Sequence, residues 1–267
     1  MAESPTTPSS DQPTANLSNG AQVPLLGFGT WQLREKECYD AVRSALDVGY
    51  RHLDTATGYE NEEQVGRAIR DSGLDRSEVF ITTKLPPENA GKEAETLAAS
   101  LRNLGVDYVD LWLIHWPPTG EAGVETWREF LALQGESKTR AIGVSNYSTE
   151  QVDELIDATG VAPAVNQIRW APALFDKARA DHLKDRGVAL EGYSPFRASD
   201  LDDEALTTIA DTHNASVPQV ILRWHLEHEY IAIPKSAKPE RIKANFDVFG
   251  FSLTPDEVAT IDALSTI

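Results

Sequence analysis

With 267 residues, 41% of them hydrophobic, the chain is long enough to bury a sizeable core in one large or two smaller domains without disulfides or a structural metal. Its formal net charge of -18, from 42 acidic against 24 basic residues, repels nucleic acid and anionic membranes. No run approaches the roughly 20 apolar residues of a membrane span, and the N-terminus lacks the basic start and apolar stretch of a secretory signal, so a cytoplasmic location is expected.

The 24 basic residues divide into 9 lysines and 15 arginines. This acidic, lysine-poor balance resembles that of proteins from salt-loving microbes, where concentrated salt screens self-repulsion. The single cysteine, Cys38, lies in a helical pattern and is expected to be a buried structural thiol.

In chain order, residues 1–15 are rich in Ser, Thr and Pro and are expected to form a disordered tail, with 16–267 as one domain. The pair Asn19-Gly20 between two short extended segments predicts a tight N-terminal β-hairpin. Short β-rich runs then alternate with amphipathic helical stretches: LLGFGT, HLDTA, VFITTKL, YVDLWLIHW, AIGVSN, AVNQIRW, VALEGYSPF and YIAIPKS are each followed by a helix. Apolar strands separated by helices imply a parallel sheet covered by helices. Eight such units in this length fit an α/β fold of the closed (β/α)8 TIM barrel type. Two further helical patterns, SVPQVILRWHLEHE and TPDEVATIDALS, predict two extra helices.

In such a barrel, functional groups gather where strand carboxyl ends meet the following loops. Those positions hold Asp54 with Tyr59 after it, Lys84, His115, Ser145 and Asn146, Gln167, Tyr193 and Ser194, and Lys235 and Ser236. Singly, each has an ordinary explanation: Asp54 caps a loop, Lys84 snorkels, His115 is a satisfied core histidine, and Ser145-Asn146 is turn chemistry. Jointly, Asp54, Tyr59, Lys84 and His115 from three successive units converge on one rim. An ammonium beside a phenol is expected to lower the tyrosine pKa, a carboxylate holds that ammonium charged, and a histidine orients a carbonyl oxygen.

The segments GFGTWQL, GYRHLDTATGYENEEQVGRAI, ITTKL, LRNLGVDYVDLWLIHWP, AIGVSNY, VNQIRW, YSPF and IPKSAKPERIKANF, in this order, resemble the successive signatures of the aldo-keto reductases. The similarity runs from about Leu17 to Leu264. It implies NAD(P)H-dependent reduction of aldehydes and ketones. Asp54, Tyr59, Lys84 and His115 align with the family's catalytic tetrad, with Tyr59 as the acid. Ser145, Asn146 and Gln167 match residues that hold the nicotinamide carboxamide, Tyr193 the aromatic that stacks on its ring, and Ser194 the start of the pyrophosphate loop. Lys235, Ser236 and Arg241 match the clamp on the 2′-phosphate, with Asn245 near the adenine. The cations of KSAKPERIK oppose both the acidic global field and the helix dipole, which also favours a phosphate there. NADPH is therefore the expected cofactor, with NADH use possible, and no metal is expected.

GFGTWQ lacks the third glycine of the doubly wound dinucleotide fingerprint. Gly27 and Gly29 instead let the first strand approach its neighbours, with Trp31 facing the substrate cleft. This chain has Arg169, Trp170 and Ala171 where the family often has Glu-Tyr-His, and Ala244 where a glutamate often contacts adenine. Pro86 and Pro87 replace a common pocket aromatic. Short loops resemble those of microbial, 2,5-diketogluconate reductase-like members acting on small carbonyl substrates, with Trp31, His115, Trp116 and Phe196 lining the substrate site and a monomer expected. Two alternatives are a nucleotide-binding regulatory subunit without turnover and a lyase using Lys84 or Lys235 as a Schiff base.

Overall fold

A computed structural model describes residues 12–18, 20–118 and 121–267. The expected hairpin is formed by β1 (Thr14–Asn16) and β2 (Gln22–Pro24), antiparallel with Ala15 opposite Val23. Asn19 of the expected turn, and residues 1–11 of the expected tail, lie outside the described residues. β1 starts at Thr14, two residues inside the segment read as tail, because Pro13 already accepts a backbone bond from Leu25.

Eight parallel strands follow in sequence order: β3 (Phe28–Gly29), β4 (His52–Asp54), β5 (Phe80–Leu85), β6 (Val109–Ile114), β7 (Thr139–Ser145), β8 (Val165–Arg169), β9 (Ala189–Tyr193) and β10 (Ile231–Ile233). The sheet closes on itself through the Leu26–Ala232 bridge, with Gly27 N–H donating to Ala232 O at 2.8 Å and Gly29 N–H to Pro234 O at 3.0 Å. A Cβ on Gly27 would lie 2.6 Å from His52 Nδ1, so only glycine lets the first strand pass over that inward histidine. This is the TIM barrel expected from the alternation of strands and helices.

The helices are α1 (Glu35–Val48), α2 (Glu62–Ser72), α3 (Glu93–Leu104), α4 (Val124–Gly135), α5 (Thr149–Thr159), α6 (Lys177–Asp185), α7 (Glu204–Thr212), α8 (Val217–Glu227), α9 (Pro239–Phe246) and α10 (Pro255–Asp262). α8 and α10 are the two extra helices. Their starts are set by capping boxes, Ser216 with Gln219 and Thr254 with Glu257, each followed by a proline in the first turn.

Every residue of β5 and β6 is buried, as expected for strands covered on both faces. On the outer face Trp112 stacks on Phe130 of α4, with centroids 3.8 Å apart, and Trp127 packs beside them. Truncating such an aromatic costs about 3–5 kcal/mol, so this seam anchors the strand that leads into His115. Cys38 is free and fully buried in α1, where burial pushes its thiol up to about 12; it is the structural thiol expected. Among the described residues, no helix is long and apolar enough to cross a membrane.

Candidate active site

The barrel interior changes chemistry along its axis. Strand alternation turns Asp54 of β4, Lys84 of β5 and Gln167 of β8 inward at the carboxyl end, and all three are buried. Lys84 Nζ donates to both Asp54 oxygens at 2.7 Å and to Thr55 O at 2.8 Å. The same ammonium also bonds the Tyr59 side chain. Burial alone would lower this lysine, but Asp54 and the nearby Tyr59 reverse the effect and leave its pKa raised. Lys84 is thus a buried, paired ammonium, neither snorkelling to solvent nor free to act as a Schiff-base amine.

Tyr59 ends a short 3-10 turn, Thr57–Tyr59, between β4 and α2. Lys84 Nζ lies 5.0 Å from its ring centroid, and the His115 ring meets it edge-on at 5.6 Å. The four residues drawn from three successive units do converge. One expectation needs correction: the Tyr59 pKa is raised, because desolvation outweighs the lowering by Lys84. The phenol therefore keeps its proton through the neutral range. Burial and the Lys84 charge together hold His115 down to about 3, so its imidazole is neutral.

The loop bearing Tyr59 is held by residues whose role the sequence pattern hid. Asn61 is fully buried, donates to Thr30 O at 2.9 Å and Leu33 O at 3.0 Å, and accepts from Thr55 Oγ1 at 2.7 Å. Arg34 reaches across to the Tyr59 carbonyl. Glu62, in the first turn of α2, is buried and accepts from Thr83 Oγ1 at 2.6 Å. These three staple the first strand's loop, the tyrosine turn and β5 together. An Asn-Glu pair at a helix start reads as capping chemistry, and only the fold brings their partners near.

The expected nicotinamide contacts form one connected network. Gln167 Nε2 donates to Asp54 Oδ2 at 2.8 Å, so its amide also supports the tetrad. Ser145 Oγ donates to Gln167 O at 2.9 Å; Asn146 Nδ2 donates to His115 O and Ser145 Oγ, both at 3.0 Å, and its Oδ1 accepts from Tyr193 OH at 2.7 Å. The last bond fixes the half-buried Tyr193 ring. Asn146 and Ser194, each just past a strand end, hold φ of 64° and 54°. Such left-handed conformations outside glycine concentrate at functional sites.

A separate corner is built by β10 and α9. Lys235 and Arg241 are exposed and make no ion pair among the described residues, while Ser236 and Asn245 are mostly buried. Ser236 Oγ accepts from Lys238 N–H at 3.1 Å, shaping the turn into α9. At the mouth, Trp31 and Trp116 are 44% and 49% exposed, so neither is core packing, and the Arg197 guanidinium lies 5.3 Å from the Trp31 centroid. Phe196, expected as a pocket wall, is half-buried and packs in part against the hydrophobic core.

A TIM barrel that gathers a buried lysine-aspartate pair, a tyrosine and a neutral histidine at its carboxyl rim has the place and the groups of an enzyme site. Residues 25–266 match the aldo/keto reductase family. The chain is 44% identical to the glyoxal reductase of Bacillus subtilis over 263 residues, covering 97% of this chain and 95% of that protein. A crystal structure of an aldo/keto reductase from Brucella melitensis superposes with a TM-score of 0.91 at 43% identity, covering 95% of this chain and 99% of that one. The Bombyx mori aldo-keto reductase solved in complex with NADP superposes with a TM-score of 0.88 at 34% identity, over 95% of this chain and 92% of that one. The chain belongs to the aldo/keto reductase family, and it is an NADPH-dependent oxidoreductase of aldehyde and ketone carbonyls.

Proposed function

We propose that Tyr59 is the general acid of this carbonyl reduction, with Lys84, Asp54 and His115 completing the tetrad. The observation that carries this reading is Lys84 Nζ, bonded to both Asp54 oxygens at 2.7 Å and 5.0 Å from the Tyr59 ring centroid. NADPH, when bound, supplies the hydride. Tyr59 OH then donates its proton to the carbonyl oxygen, and Lys84 stabilises the phenolate that remains. Neutral His115 donates a hydrogen bond that orients the same oxygen.

The donor set fits a phosphorylated dinucleotide. Lys235 and Arg241, without ion pairs among the described residues, offer cations to a 2′-phosphate, where charge-assisted bonds are strong. Asn245 lies behind them for the adenine, Ser194 begins the pyrophosphate loop, and the fixed Tyr193 ring offers a stacking face beside Ser145, Asn146 and Gln167. This arrangement favours NADPH over NADH.

Trp31 and Trp116 wall a mouth suited to small aldehydes, dicarbonyls and keto acids, in keeping with a short-loop, 2,5-diketogluconate reductase-like subtype and with the glyoxal reductase likeness. We further assign a single catalytic domain, a monomeric state, a cytoplasmic site of action, and adaptation to high salt, the last from the net charge of -18 and the scarcity of lysine. The test is an aldehyde and ketone panel with NADPH and NADH, at low and molar salt. NADPH oxidation by small carbonyls, lost in Tyr59→Phe, supports the reading. NADPH binding without turnover across the panel points to the regulatory alternative.

A further inference from the structure

Below the tetrad the barrel holds a second carboxyl that the reaction does not use. Glu191 is the central residue of β9, in register with Gln167 on one side and Ile231 on the other. The next residue, Gly192, faces outward against Trp170 and His225, so Glu191 points into the barrel. It is fully buried, and neither of its oxygens has a hydrogen bond of ordinary geometry. Its surroundings are Asp54 and His52 from β4, Lys84 from β5 and the Gln167 amide from β8; His52 Nε2 is 3.8 Å from Glu191 Oε1.

Two carboxyls thus face one ammonium. Lys84 directs its hydrogen bonds to Asp54, Thr55 O and the Tyr59 side chain, and gives none to Glu191. Gln167 gives one amide proton to Asp54, and its interaction with Glu191 lowers the Glu191 pKa without offsetting burial and Asp54. His52 is engaged at 3.1 Å with Thr82 Oγ1 and is held neutral, down to about 3, chiefly by burial. A second anion here would be desolvated, short of donors and close to Asp54, and a buried group so placed takes up a proton instead.

We infer that Glu191 is a positioning residue that remains a neutral carboxylic acid during turnover, leaving Asp54 as the only counter-ion of Lys84. Burial, then Asp54, raises the Glu191 pKa to about 8. Were it ionised, the Lys84 charge would be shared between two carboxylates, and less of it would act on Tyr59. The phenol would become a weaker acid, and carbonyl reduction would slow as pH rises through that range. The proton on Glu191 does not move in the reaction; its effect is to keep the buried cluster of Lys84 and Asp54 at zero net charge. This inference rests on Tyr59 as the acid, but the protonation state of Glu191 can be read without turnover.

The experiment compares wild type, Glu191→Gln and Tyr59→Phe by infrared difference spectroscopy and by pH profile. Wild type should show a carboxylic-acid C=O band at pH 7 that titrates away near pH 8, absent from Glu191→Gln and still present in Tyr59→Phe. Glu191→Gln, neutral at every pH, should keep kcat/KM within about threefold of wild type at pH 7 and lose the wild-type decline of about tenfold per pH unit on the alkaline side. Absence of the band at pH 7, or an alkaline decline unchanged in Glu191→Gln, would overturn the inference. If the variant fails to fold, the band in wild type and in Tyr59→Phe still decides. A band retained with no carbonyl reduction in wild type would sink the catalytic reading and leave the protonation state standing.

Discussion

The proposed tetrad and the proposed cofactor corner follow opposite designs. Around β4, β5 and β8, the Lys84 protons, the Asp54 oxygens and the Gln167 amide nitrogen are satisfied within the protein. At β10 and α9, Lys235 and Arg241 stand exposed without ion pairs among the described residues, in a protein carrying 42 acidic side chains. Groups that must hold a reacting proton in place are ordered in advance, which removes reorganisation from the reaction. Groups that bind a charged ligand keep their pairing capacity for that ligand.

The contrast yields opposite signatures on mutation. Lys84→Met should lose at least about a thousandfold in turnover and destabilise the fold by about 3–5 kcal/mol, because Asp54 would remain as an uncompensated buried charge; steady-state kinetics and urea unfolding measure both. Arg241→Ala should raise KM for NADPH by about tenfold to a hundredfold, leave KM for NADH nearly unchanged, and cost no measurable stability. If Arg241→Ala unfolds the protein as Lys84→Met does, the two regions are not distinct. Asn61→Ala lies between them: the loss of three buried hydrogen bonds should cost about 1–3 kcal/mol and lower kcat more than it raises KM for cofactor, since it loosens the Tyr59 loop.

Stability itself should also depend on pH. His52 and His225 are buried and held neutral, down to about 3 and about 4, below the ordinary 6.5. Below 6.5 the unfolded chain takes up protons that the folded one refuses. Stability should therefore fall as pH drops from 6.5 toward 4, by up to about 1.4 kcal/mol per unit for each histidine. Replacing His225 with Asn should reduce that slope in urea unfolding followed across this range.

The barrel and the convergence of the tetrad were legible because each depends on local pattern: strands alternate with helices, and polar residues stand at strand ends. The inward side of Asp54 and Lys84 follows from the same periodicity. What the pattern could not carry was pairing across the barrel. Gln167 reaches Asp54 over 113 residues, and Asn61 binds carbonyls 28 and 31 residues earlier. Glu191 sits in ALEGY as one acid in an apolar strand, and only its burial beside Asp54 gives it meaning. The sign of the Tyr59 shift failed for a related reason. The attraction of Lys84 was readable from residue types, but the larger desolvation depends on how deeply the ring is set.

The central claim is that Tyr59 delivers the proton to a substrate held over the Lys84–Asp54 pair. Tyr59→Phe removes one oxygen and leaves that pair intact. Single-turnover kinetics with a small aldehyde, beside a fluorescence titration of NADPH, test it most directly. The account predicts NADPH affinity within about threefold of wild type and a reduction rate lower by about a thousandfold or more. A variant that binds NADPH normally and still reduces the aldehyde within about tenfold of the wild-type rate would contradict it.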